Sequence, residues 1–150
     1  MGLNALKSFL RRHRRIALDT SIFIYHLEAG RVYGEMAAEV FEWLEKSPHS
    51  AVTSTLTMTE LLVHPYKAGN EVLVNQYYGL LSQFPNLEWA PVDLEIADAA
   101  AKLRATHGLR TPDALQIATA IHRGASAFLT NDNELSRVSE ITVGLLNHVR

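Results

Sequence analysis

The sequence contains no cysteine. That absence excludes disulfides and thiolate metal sites and fits a reducing compartment, so the expected location is the cytoplasm. Nor is there an apolar run approaching the roughly 20 residues that a membrane-spanning helix needs. The N-terminus lacks a secretory apolar region followed by a small-residue cleavage site, and no membrane association is expected. Residues 1–18 contain no acid but carry Lys7, Arg11, Arg12, Arg14 and Arg15, a pattern that organellar transit peptides share. The net charge of −2 gives no global attraction to nucleic acid, so any such contact must come from a local patch. A P-loop (GxxxxGK followed by Ser or Thr) and a GxGxxG fingerprint are both missing, which argues against nucleotide cofactors. The seven histidines show no HExxH spacing and read as surface or core residues without a metal role.

What is present is 150 residues of continuous globular sequence, 47% hydrophobic, without repeats, low-complexity tracts or linkers. It reads as one domain, 1–150, with enough apolar material for a sizeable core. Residues 1–13 form an N-terminal helical extension with Leu3, Leu6, Phe9 and Leu10 on one face, and the "RRHRR" at 11–15 puts cations at the helix end. Strands are expected at "IAL" (16–18), "SAVTS" (50–54), "LEWAPV" (87–92), "SAFLT" (126–130) and "ITVGLL" (141–146). Between them lie an amphipathic helix from about Tyr33 and a helix in "TMTELLVHPY" that Pro65 ends or kinks. A further helix spans Glu71–Phe84, with Val72, Tyr77, Leu80, Leu81 and Phe84 facing inward. An alanine-rich helix over 94–106 is stopped by Gly108, and another is capped by Thr111, opened by Pro112 and closed before Gly124. Short apolar strands alternating with helices predict an α/β fold around a mainly parallel sheet of about five strands.

In such a sheet ligands bind beyond the carboxyl ends of the strands. Asp19 ends the first strand, in "IALDTSIFIY", where a carboxylate between two apolar segments is costly to bury unless neutralised. Glu60 follows the second strand, Asp132 in "LTNDNEL" follows the fourth, and Asp113 starts a helix in "TPDA". Each has a structural explanation of its own. Thr57 and Glu60 match a capping box, Asp113 suits a helix N-terminus, Asp132 suits a turn, and Asp19 suits a cap. Together they imply more, because carboxylates brought close repel unless a cation holds them. Oxygen-only ligands suit Mg²⁺ or Mn²⁺.

The stretches "LDTSIFIY", "TLTMTELLVHP", "GLRTPDALQIATAI" and "FLTNDNEL", in this order, resemble the PIN-domain nucleases, specifically the VapC-like toxins of toxin–antitoxin pairs. The resemblance runs from about Arg15 onward, and only the leading helix departs from it. It implies a three-layer α/β/α PIN-like domain acting as a metal-dependent endoribonuclease. Asp19, Glu60, Asp113 and Asp132 would serve as catalytic metal ligands for Mg²⁺ or Mn²⁺, with Thr20, Ser21, Thr130 and Asn131 orienting them. Arg104, Arg110 and Arg123 are candidates for guiding the RNA backbone. The implied partners are an RNA substrate, a small antitoxin protein and a second copy of the chain in a homodimer. A phosphatase of the haloacid-dehalogenase type needs a second Asp two residues after the first, where this chain has Ser21. The remaining alternative is a catalytically silent PIN-like module that binds RNA or protein.

Overall fold

A computed structural model describes residues 2–147. Five strands, β1 (Arg15–Leu18), β2 (Ser50–Ser54), β3 (Leu87–Ala90), β4 (Ala127–Thr130) and β5 (Thr142–Leu145), form one sheet in the order β3-β2-β1-β4-β5. All four pairings are parallel. Alternation sorts their side chains between two covered faces. Ile16, Leu18, Ala51, Ala127 and Leu129 enter one core, and Ala17, Val52 and Phe128 enter the other.

The first core is closed by α1 (Leu3–Arg11), α2 (Thr20–Glu28), α3 (Arg31–Glu45), α4 (Thr55–Lys67) and α5 (Glu71–Ser82). The second is closed by α6 (Leu94–His107) and α7 (Thr111–His122), giving helix, sheet and helix layers. α1 is built into the core: Leu6, Phe9 and Leu10 are buried, while Leu3 lies partly open. Phe9 packs so closely on β5 that a Cβ on Gly144 would stand 2.8 Å from its ring. The part of the expected single domain at residue 1 and at 148–150 lies outside the described residues.

Several local expectations change. α2, capped by Asp19, is an addition to the expected elements: its short "IFIY" run between polar ends shows no clear amphipathic period. Pro65 does not end α4, which continues to Lys67. A proline near a helix end removes one donor and leaves the final turn intact. On α5 Val72 and Leu80 are exposed, 68% and 53%, and Val74 joins Leu81 in the interior. Leu81 and Phe84 pack on the core and Tyr77 is half-buried, as expected, so the difference is confined to Val72 and Leu80, which are left on the surface. The N-cap of α7 is Arg110 rather than Thr111, a shift of one residue, while Gly108 and Gly124 hold positive φ as helix terminators should. No helix among the described residues is long and apolar enough to cross a membrane.

Candidate active site

The strand order makes the site. The chain leaves β1 for β2 and β3 on one side, then returns to lay β4 on the other, so the connections at the carboxyl ends of β1 and β4 diverge and open a crevice. Asp19 stands at that crevice, its N–H bonded to the carbonyl of Leu129 (3.0 Å). Its Oδ1 accepts from the N–H of Thr20 (2.8 Å), and its Oδ2 accepts from the hydroxyls of Thr130 (2.6 Å) and Ser21 (3.4 Å). Burial nevertheless pushes the Asp19 pKa above the usual carboxylate range, and the negative charges of Asp113 and Glu60 push it further. The Thr130 and Thr20 hydrogen bonds pull the other way without cancelling that rise.

Glu60 reaches the same place from α4. Its Oε1 accepts from the Thr20 hydroxyl at 2.6 Å. It does not belong to a capping box: Ser54 is the N-cap, accepting from the N–H of Leu56, and Glu60 lies in the second helical turn. The cap is instead the last residue of β2, where the strand releases the chain into the helix. Thr57, the other half of the expected box, is fully buried beneath the site. Asp113 enters from the first turn of α7 and pairs with Arg110, Nε to Oδ2, at 3.2 Å. Asp132 follows β4, where its Oδ1 caps a short 3-10 helix (Asn133–Arg137) by accepting from the N–H of Glu134 (3.0 Å).

An open cleft of about 570 Å³ reaches Asp19 and Asp132 but not Glu60 or Asp113, and is lined also by Ser21, Tyr25, Arg110, Asn131, Asn133 and Glu134. Asp113 dominates the field at Arg110, with Asp132 and Glu134 adding to it, and together they raise the guanidinium pKa further. Among the described residues neither Asp19 nor Glu60 has an ion-pair partner.

The PIN domain family model matches residues 16–141. This chain belongs to the PIN domain family. No curated protein matches the sequence significantly. Among solved structures, a toxin–antitoxin complex from Klebsiella pneumoniae shares 24% identity at a TM-score of 0.66, over 89% of this chain and 99% of that one. VapBC2 from Rickettsia felis, bound to a DNA fragment from its promoter, shares 17% identity at a TM-score of 0.71, over 87% and 98%. FitAcB from Neisseria gonorrhoeae shares 19% identity at 0.68, over 89% and 99%. These likenesses establish the fold.

In this PIN domain Asp19, Glu60 and Asp113 are brought close enough for the second and third to shift the first, and Asp132 stands on the cleft rim. Thr20, Ser21 and Thr130 all bond Asp19 or Glu60. Asn131 instead donates to the Tyr25 hydroxyl at 2.6 Å. Arg110 lines the cleft, whereas Arg104 turns its Nε to the carbonyl of Leu109 (2.9 Å). Arg123 is not at the site. It bonds Glu88 at 3.1 Å, in a cluster with Arg15 at the opposite edge of the sheet, where the parallel strands begin. Arg123 follows the C-terminus of α7, and a helix between parallel strands has its two ends at opposite edges of the sheet.

Sequence reasoning passed over Tyr25, which stacks on Tyr33 (centroids 4.9 Å apart) beside the cleft, and Glu134 on its rim. It also missed the buried polar residues Thr53 and Gln116 behind the acids, and gave Thr57 a cap's role in place of a buried one. One signal existed for Gln116: it and Thr119 are the polar residues in the otherwise apolar stretch "ALQIATAI".

Proposed function

We propose that this protein is a Mg²⁺- or Mn²⁺-dependent endoribonuclease that hydrolyses RNA phosphodiester bonds, acting in the cytoplasm as the toxin of a toxin–antitoxin pair. The observation that carries this reading is the convergence of Asp19, Glu60 and Asp113 at the topological switch point, with Arg110 the cation at hand. Membership of the PIN family supports it. The donor set is all oxygen, which suits a hard divalent cation better than Zn²⁺. Among the described residues no three His, Cys, Asp or Glu side chains already stand in a coordinating cluster. Binding therefore requires Glu60 and Asp113 to draw in toward Asp19, with Asp132 joining from the rim.

When bound, such an ion supplies charge for the phosphate oxygens and makes an attacking water acidic enough to ionise near neutral pH. The chain's own groups supply the rest. Thr20, Ser21 and Thr130 hold the Asp19 carboxylate in one orientation, and Thr20 ties Glu60 beside it. Arg110, exposed on the cleft wall, meets the backbone phosphates of the substrate. In hydrolysis the water oxygen bonds to phosphorus as the bond to the leaving ribose oxygen breaks, and the leaving oxygen takes up a proton.

A second surface supports the antitoxin reading. Met58, Leu62, Tyr66, Tyr78 and Trp89 line an apolar groove of about 910 Å³ on α4 and α5. An exposed apolar surface of this kind fits protein association. The structural neighbours are toxin–antitoxin complexes, and we assign the groove to an antitoxin, alongside pairing of two copies of the chain.

Incubating the purified protein with structured RNA, with and without Mn²⁺, tests the activity. Metal-dependent fragments support it; retention of RNA without cleavage would leave a silent binding module. Mn²⁺ should also raise the melting temperature, because a ligand bound only by the folded state stabilises it. Asp113→Asn should remove most of that rise, and an undiminished rise takes Asp113 out of the ligand set. Glu60→Gln keeps an acceptor for Thr20 and should fold within about 1 kcal/mol of wild type. It should nevertheless lose cleavage, since an uncharged amide is a poor ligand for a hard cation. A Glu60→Gln protein that cuts RNA at the wild-type rate would remove Glu60 from the site.

A further inference from the structure

The three acids ride on different helices, and their mutual repulsion tends to separate those helices. Something must hold them in register. Thr57 and Glu60 are three residues apart on α4, and Asp113 and Gln116 are three apart on α7, so each acid has a polar residue one turn behind it on the same face. These two polar residues meet: Gln116 Nε2 donates to Thr57 Oγ1 at 2.8 Å.

The bond is fully enclosed, with Thr57 at 0% and Gln116 at 3% exposure. Its polarity follows from its neighbours. The N–H of Ser54 faces Gln116 Oε1 at 3.4 Å, which turns Nε2 toward Thr57. Thr53 donates to the Leu18 carbonyl at 2.9 Å, so in its 2.7 Å contact with Thr57 it accepts. Thr57 thus gives its proton to Thr53 and receives one from Gln116. The Thr20 hydroxyl, 3.2 Å from Thr57, is left to donate to Glu60. One buried hydroxyl thereby connects β2, α2, α4 and α7 directly behind the acids.

We propose that Gln116, through Thr57, is a positioning residue that holds α4 and α7 in the register at which Glu60 and Asp113 close on Asp19. Packing alone does not call for an amide here, because an apolar side chain of that length fills the same space; what it would lack are the bond to Thr57 and the longer contact with the Ser54 N–H. What the amide adds is direction: the bond fixes the sliding and rotation of one helix against the other. Metal ligation depends on groups held to a fraction of an ångström. The proposal rests on the metal-dependent reading above.

Its test compares full-length wild type with Gln116→Met, Thr57→Val, the double variant and Thr57→Ser. Calorimetric Mn²⁺ titration, melts in EDTA and cleavage kinetics are measured for each. Each of the first two should weaken Mn²⁺ binding about ten-fold, the scale of losing a partner behind a metal ligand. kcat should fall while KM holds. The double variant should bind no more weakly than either single, because both remove the same bond. Thr57→Ser, which keeps the hydroxyl, should bind like wild type. Should a single variant fail to fold, the double variant, with both partners apolar, carries the measurement. Variants that melt lower in EDTA yet bind Mn²⁺ and cleave like wild type would reduce Gln116 to packing and overturn the proposal, as would additive losses in the double variant. A wild-type protein that binds no Mn²⁺ defeats the functional reading and this role with it. Unchanged variants of a metal-binding wild type defeat this role alone.

Discussion

Asp19→Asn should lower Mn²⁺-supported RNA cleavage by about 10³-fold, the scale of removing a group that stabilises transition-state charge, while the metal-free protein melts at or above the wild-type temperature. The two outcomes have one cause. The Asp19 carboxylate is enclosed at the end of β1 and faces Asp113 and Glu60, so its charged form is disfavoured in the fold. Asn keeps an oxygen for the Thr20 N–H and offers its amide to Thr130, which already accepts from the N–H of Asp132 at 3.1 Å. The pH dependence follows from the direction of the shift. A carboxyl whose pKa is raised on folding binds its proton more tightly in the native state, so stability falls as pH rises from the ordinary Asp value of about 3.9 to the raised one. Above that window the penalty is constant. The advantage of Asp19→Asn in EDTA should therefore be small below about pH 4 and grow with rising pH to a plateau above the raised pKa. A variant that is less stable than wild type at pH 7 in EDTA would show that the Asp19 carboxylate holds the fold together.

Phe9→Ala should destabilise the protein by about 3–5 kcal/mol, the range for an aromatic side chain removed from a packed interior. Phe9 is nearly fully buried, touches the β5 backbone at Gly144 and sits in one cluster with Leu6, Leu10 and Leu129. Collapse is restricted on the side that faces the sheet, where Leu129 and Gly144 are strand residues. In a chain of this size the melting temperature should drop by about 10 °C, while kcat of the protein that remains folded is unchanged, because α1 carries none of the cleft residues. If α1 were only an appendage to the domain, the melt would move by less than about 1 kcal/mol, as surface substitutions do, and that outcome would sink the assignment.

Both predictions draw on features that local pattern reveals to different degrees. The strands were readable because each is a short apolar run bounded by breakers, and in a parallel sheet covered on both faces such runs need no alternation to be recognised. Helix ends at Gly108 and Gly124 were readable because a left-handed residue favours glycine. With strands and helices in order, the carboxyl-edge rule was enough to nominate Asp19, Glu60, Asp113 and Asp132, since that rule depends on chain direction and on no contact. α2 escaped because its short apolar run shows no clear amphipathic period, and on α5 Val72 and Leu80 misled because they look like core residues wherever they stand.

Other questions could be answered only by the assembled molecule. Which serine or threonine in "STLTMTE" caps α4 depends on where β2 releases the chain. Whether Arg123 faces the acids depends on which end of α7 reaches which edge of the sheet. The Gln116–Thr57 bond joins positions 59 residues apart. Hydrophobic pattern and turn chemistry act between near neighbours and leave their mark in the local order of residues. Hydrogen bonds between helices, and the rise in the Asp19 pKa, arise between groups that only the fold makes neighbours, so no stretch of the chain carries their signature.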